Sequence, residues 1–237
     1  LRELIVTLFP LYYERYIEVF GGGGWVLFHK PPGNDFEVYN DFNSLLVNLY
    51  RCVREKPGEL INALRYVLNA RADFELVRNA LARDSPASDV QKAAWFYQLI
   101  RYSYASGLTS YGSQPHDIRS NFPLIEQAHR RLSKVVIENK DFEKLIGQYD
   151  RPVSFFYCDP PYWGTEGYGV PFDLSQYGHL ADLARSIKGK MIVSVNDIPE
   201  MRQAFDGLTI ERVAINYTVG GAGRSKAKSG ELIIRNW

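Results

Sequence analysis

Short apolar runs rich in β-branched and aromatic residues alternate along this chain with segments of helical periodicity, and that alternation restricts the fold more than any other feature. Residues 16–20 read as a buried strand, 21–24 as a glycine turn, 25–29 as a helix and 37–40 as a second strand. Leu45, Leu46, Leu49, Tyr50 and Val53 then recur at helical spacing. Between 57 and 118 strands vanish, and three helical segments (59–68, 74–82, 90–103) take their place. The alternation resumes with helix 124–132, strand 135–138, helix 142–149 and the most apolar strand of all, 154–158. Helix 174–186, strand 191–195 and a short helix near 200–205 follow. Two last strands, 210–217 and 231–236, flank a Gly/Lys/Arg-rich stretch and are expected to pair antiparallel. The expected fold class is therefore α/β, a mostly parallel sheet with helices on both faces and an antiparallel terminal hairpin. Residues 1–56 and 119–237 would form its core domain and 57–118 an inserted helical subdomain. In such sheets ligands sit at the carboxyl ends of the strands, so functional residues should follow strands.

Composition removes several function classes. The 237 residues are 46% hydrophobic and 23% charged, which excludes disorder. Cys52 and Cys158 stand far apart with no CxxC, and His29, His116, His129 and His179 lack metal-ligand spacing, so no disulfide framework or metal site is expected. No apolar run is long enough to cross a membrane and no leader opens the chain. An intracellular protein, a monomer or weak dimer without membrane or metal partners, is the expectation. Leu1 opens inside an amphipathic pattern, so further sequence upstream is expected. Net charge is +1, but residues 51–134 carry 13 Lys/Arg against 8 Asp/Glu. Such a surplus is either a solvated face or a surface for an anionic partner.

Three candidate sites follow strands. Phe20 with Gly21, Gly22, Gly23 and Gly24 allows a tight strand-to-helix turn and close backbone approach to a ligand. Trp25 stands where a P-loop would need Lys-Ser or Lys-Thr, so phosphate cradling is disfavoured, and four consecutive glycines do not give the GxGxxG spacing of a dinucleotide oxidoreductase. Asp41 ends the second strand about 20 residues on, where an acidic side chain accepts hydrogen bonds from ribose hydroxyls; it would serve equally well to cap the helix beginning near Asn43. The third site is Asp159-Pro160-Pro161-Tyr162, directly after the apolar strand. Two prolines stiffen the loop and withhold two N–H donors, leaving carbonyls and a carboxylate as a fixed cluster of acceptors. Acceptors on both hydrogens of an exocyclic amine favour a more pyramidal, more nucleophilic nitrogen, and Tyr162 offers a stacking surface for a planar base.

Phe20 to Gly24, Asp41 and Asp159 to Tyr162, in that order, resemble the Dam-type N6-adenine DNA methyltransferases. The resemblance covers most of the chain. It implies a Rossmann-like sheet, S-adenosylmethionine as cofactor, double-stranded DNA as partner and a flipped-out adenine as substrate, in a bacterial or phage-type cytoplasm and in some cases within a restriction–modification pair. It also implies that Phe20, Gly21, Gly22, Gly23, Asp41, Phe42 and Asp159 contact the cofactor, with Asp141-Phe142 holding its adenine. Phe172 with His179 resembles the helix start after the catalytic loop, Ser194-Val195-Asn196-Asp197 the next strand end, and 231–236 the closing strand. Residues 101–111 weakly resemble a family stretch in which Phe-Asn stands where this chain has Ala105-Ser106. The family's Gly-Gly-Lys element before the first helix is not found. The helical insertion becomes the expected DNA-reading part, with Arg65, Arg71, Arg78, Arg101 and Arg119 as candidates and Arg224, Lys226 and Lys228 as a second group. RNA bases or cytosine N4 are alternative acceptors for the same motif, and a catalytically silent DNA-binding module is a third reading.

Overall fold

The computed structural model describes residues 1–104, 107–163, 172–215 and 229–237. Among them lie seven strands: β1 (Arg15–Glu18), β2 (Phe36–Asn40), β3 (Val136–Glu138), β4 (Ser154–Cys158), β5 (Lys190–Asn196), β6 (Thr209–Ile215) and β7 (Ser229–Arg235). The α-helices among them are α1 (Arg2–Thr7), α2 (Trp25–His29), α3 (Ser44–Glu55), α4 (Pro57–Leu64), α5 (Arg71–Ala82), α6 (Asp89–Tyr102), α7 (Phe122–Leu132), α8 (Phe142–Tyr149), α9 (Leu174–Ser186) and α10 (Pro199–Ala204). They fall into two compact units, one of residues 1–42 with 140–237 and one of residues 43–139.

The first unit carries six strands in the order β2-β1-β4-β5-β7-β6. β2, β1, β4 and β5 run parallel, while β7 is antiparallel to both β5 and β6. β4 lies between β1 and β5 and is buried along its whole length, which is why its sequence is continuously apolar instead of alternating. Phe155 and Phe156 are fully buried on opposite faces, each burial stabilising the sheet by about 1.5–3 kcal/mol. The register Cys158↔Val193 sets the exit of β4 beside the last residues of β5, so that the residue after β4 lies next to Ser194. The antiparallel pairing of β6 with β7 agrees with the expected hairpin, but β7 is inserted between β5 and β6, with Glu231 opposite Asn196 at the carboxyl end of β5.

The second unit is built around α6, against which α3, α4 and α5 pack. Ala93, Ala94, Phe96, Leu99 and Tyr102 are buried on this helix, so it is apolar on more than one face, as a central helix must be. Asn43 caps α3 by accepting from the Leu45 and Leu46 N–H groups, and Ser88 caps α6. The segment 57–118 lies inside this unit, which extends beyond it at both ends because α3 and α7 bury apolar faces on its helices. No helix among the described residues is long and apolar enough to cross a membrane.

Candidate active site

The glycine turn is knitted to the end of β2. Gly21 N–H donates to the Asn40 carbonyl (2.7 Å), Gly24 N–H to the Gly21 carbonyl (2.7 Å), and Tyr39 Oη–H to the Gly22 carbonyl (2.8 Å). A Cβ on Gly21 would lie 2.2 Å from the Tyr39 ring, and Gly22 and Gly24 adopt positive φ, so the turn demands glycine for two separate reasons. Asp41 Oδ2 accepts from Gly22 N–H at 2.9 Å. The side chain that caps α3 is that of Asn43, while the Asp41 carboxylate contacts the turn. Trp25, at the position that excluded a P-loop, is 68% exposed, with the Arg2 guanidinium 5.7 Å from its ring centroid.

Asn40, 1% exposed, has a role that sequence reading missed. Its Nδ2 donates to the Val19 and Lys140 carbonyls (2.8 and 3.0 Å), and its Oδ1 accepts from Lys140 N–H (2.8 Å). It thereby holds the residues just before Phe20 and just before Asp141 together. The Phe20 and Phe142 rings consequently lie 5.6 Å apart, and Phe172 packs on both at 5.4 and 5.6 Å. The Asp141 side chain caps α8, accepting from Glu143 N–H. Phe42 is 59% exposed.

Phe172 continues to Tyr177 of α9, ring centroids 4.8 Å apart, and the Tyr177 hydroxyl donates to the Pro161 carbonyl. A row of aromatic rings thus connects the glycine turn with the Asp-Pro-Pro-Tyr loop, two motifs more than 130 residues apart in sequence. Asp173 and Gln176 form a capping box that starts α9 and aims Tyr177 at the loop. Asp159 is half-buried one residue beyond β4, and Ser194 Oγ–H donates to its Oδ1 at 2.9 Å. Burial pushes the Asp159 carboxyl up to about 6, the Ser194 hydrogen bond opposing the shift. Pro160 is buried, and the Tyr162 hydroxyl donates to Glu231, itself 1% exposed. Ser194, Tyr177 and Glu231 had no local signal for these roles, although Ser194 and Glu231 lie in stretches the resemblance had marked.

The basic candidates of the helical unit occupy varied settings. Arg71 reaches Ser113 Oγ (3.3 Å) with its guanidinium 5.0 Å from the Tyr111 ring centroid, and Arg78 donates to the Thr109 carbonyl (2.6 Å). Arg101 contacts His116 Nε2, and Arg65 donates to Asn62 Oδ1 at 3.4 Å. Arg119 is paired with Asp117 through three hydrogen bonds. Arg224, Lys226 and Lys228 lie outside the described residues, as do Ala105 and Ser106. His129 contacts the Arg54 carbonyl and His179 the Glu143 carboxylate. Among the described residues no group of His, Cys, Asp and Glu is arranged to hold a metal ion.

A mostly parallel sheet whose first strand leads into a glycine turn, whose second is followed by an acidic residue bonded to that turn, and whose central strand is followed by Asp-Pro-Pro-Tyr has the design of a Rossmann-like amino-methyltransferase. Residues 1–219 match the D12 class N6 adenine-specific DNA methyltransferase family. The match spans nearly the whole sequence, and the chain belongs to that family, a family of DNA adenine methyltransferases. It is similar to a type II methyltransferase of Lactococcus lactis subsp. cremoris, 24% identical over 98% of this chain and 90% of that protein. Similar too are the DNA adenine methylases of Haemophilus influenzae (28%, 98% and 88%) and Escherichia coli K12 (24%, 93% and 85%).

Proposed function

We propose that this protein methylates the exocyclic N6 amine of adenine in double-stranded DNA with S-adenosylmethionine as donor, and that Asp159, Pro160, Pro161 and Tyr162 form the catalytic loop. The observation that carries the reading is the continuous connection from the glycine turn through Phe20, Phe172 and Tyr177 to Pro161 at the carboxyl ends of β1 and β4, which supports a nucleoside niche and an amine-binding loop working together.

The niche fits the donor. Gly21, Gly22 and Gly23 present backbone without side chains, and around Gly22 there is open space within 4 Å of where a Cβ would stand, so a ligand can approach the main chain closely. Asp41 suits ribose hydroxyls, and Phe20 with Phe142 supplies an apolar wall for a purine, Asp141 standing beside it. When bound, S-adenosylmethionine supplies a methyl group on a positively charged sulfonium. The protein's own part is positioning and electrostatics. Asp159 accepts one hydrogen bond from the amine and the Pro160 carbonyl a second, drawing the nitrogen lone pair out of conjugation with the ring. Pro161, held through its carbonyl by Tyr177, keeps the loop rigid. Tyr162, its hydroxyl tied to Glu231, presents its ring to an adenine extruded from the duplex at a cost of a few kcal/mol. Ionised Asp159 lies where it receives the proton that the methylated amine gives up.

Within the helical unit, Arg65, Arg71, Arg78 and Arg101 in segment 57–118 are the proposed phosphate and base contacts, Arg119 just beyond it being already held by Asp117, and such a protein works inside the cell. The decisive experiment is Asp159→Ala assayed with methyl-labelled S-adenosylmethionine and duplex DNA. Transfer to adenine is expected to fall at least 100-fold with cofactor binding by calorimetry retained. Wild-type turnover by the variant would refute the assignment.

A further inference from the structure

We infer that Tyr157 and Ser194 form a one-way hydroxyl relay that positions the Asp159 carboxylate for amine capture, an inference that rests on the role proposed for Asp159. Tyr157 Oη lies 3.0 Å from Ser194 Oγ, and Ser194 Oγ lies 2.9 Å from Asp159 Oδ1. Side chains two apart along an extended segment share a face, so Tyr157 and Asp159, one residue past β4, rise on the same side, and the β4–β5 register carried one step beyond Cys158↔Val193 sets Ser194 beside Asp159 and diagonal to Tyr157 on that face. Tyr157 and Ser194 are both buried.

Proton counting fixes the direction. An ionised carboxylate only accepts, so the single Ser194 hydrogen goes to Asp159, and the contact between Tyr157 and Ser194 then takes its hydrogen from Tyr157. Burial raises the Tyr157 phenol well above its ordinary range, and the carboxylates of Asp159, Glu18 on β1 and Glu231 on β7 push it the same way, so Tyr157 keeps its proton wherever the enzyme works. The other titratable groups that feel Asp159 are Cys158 beneath it and Tyr177 of α9, both held protonated by burial. Two donors in series polarise one another, so the second strengthens the first. One Asp159 lone pair is thereby pinned on the β5 side, which fixes the rotation of the carboxylate and directs its remaining acceptor capacity to the substrate amine.

A serine that merely filled space would be replaceable by cysteine, which is similar in size but a weak donor. The test is a carboxyl-carbon NMR titration of aspartate-labelled protein, with the Asp159 resonance assigned from Asp159→Asn, in wild type, Ser194→Ala, Ser194→Cys and Tyr157→Phe. The Asp159 midpoint is expected to rise in both Ser194 variants and by a smaller step in Tyr157→Phe. Methyl transfer at pH 7.5 should lose about tenfold in kcat in Ser194→Cys, with KM for DNA and cofactor affinity unchanged, and should recover in part at higher pH. A wild-type midpoint and wild-type kcat in Ser194→Cys would overturn the relay. Should wild-type protein fail to methylate adenine in DNA, the proposed function falls, and the titration still decides whether the relay exists.

Discussion

Asp159 combines two demands that oppose each other. The acceptor role proposed for it requires an ionised carboxylate, yet its half-buried position penalises the charge. The folded carboxyl holds its proton up to about pH 6, whereas an unfolded aspartate releases it near 3.8. Between those values the folded state binds more protons than the unfolded one, so this residue's contribution makes stability fall as pH rises through that window. Asp159→Asn removes the penalty, and its melting midpoint should exceed wild type at pH 7.5, by roughly 1–3 kcal/mol in stability, with little difference near pH 4. Equal midpoints at pH 7.5 would contradict this. Asp159 and Asp41 were singled out as candidates because immediate neighbours mark them: two prolines in one case, a strand end in the other. Asn40 and Ser194 were not, because an asparagine or serine in an apolar run looks the same whether it is a clamp or a filler. Only the partner brought to it by the sheet register decides.

At the level of elements, β4 and α9 work as a pair. β4 delivers the loop and α9 holds it, through the Tyr177 hydroxyl on the Pro161 carbonyl. Tyr177→Phe keeps the ring contact with Phe172 and deletes only the tether. Its expected effect is about 1 kcal/mol in stability and a several-fold loss of methyl transfer with cofactor affinity intact. Unchanged turnover would show that the prolines alone hold the loop. The strand–helix alternation located nearly every element, and helix 142–149 and strand 154–158 appear at the expected positions. What periodicity alone did not reveal is strand order, although the contrast between the buried Leu232-Ile233-Ile234 of β7 and the exposed Glu211 and Arg212 of β6 agrees with β7 being the strand that meets β5. Nor did it reveal the extent of the helical unit, since α3 reads alike whether it packs on a sheet or on α6.

For the whole molecule, a net charge of +1 conceals the basic surplus of residues 51–134, and binding to a polyanion is where that surplus should register. The logarithm of DNA affinity should fall linearly with the logarithm of salt concentration. Arg65→Ala should lower the slope by about one, whereas Arg119→Ala should barely alter it, because Asp117 already neutralises that guanidinium. Equal slopes for the two variants would remove the distinction. The placement of β7 has an effect on how the molecule comes into being. In chain order β5 and β6 both precede Ser229–Arg235, yet they are not neighbours; the gap between them is filled by what is made later. Because that later strand also brings Glu231 to Tyr162, the tether on the Asp-Pro-Pro-Tyr loop can form only after Ser229–Arg235 has threaded between two strands that precede it, whereas the glycine turn needs nothing beyond β2.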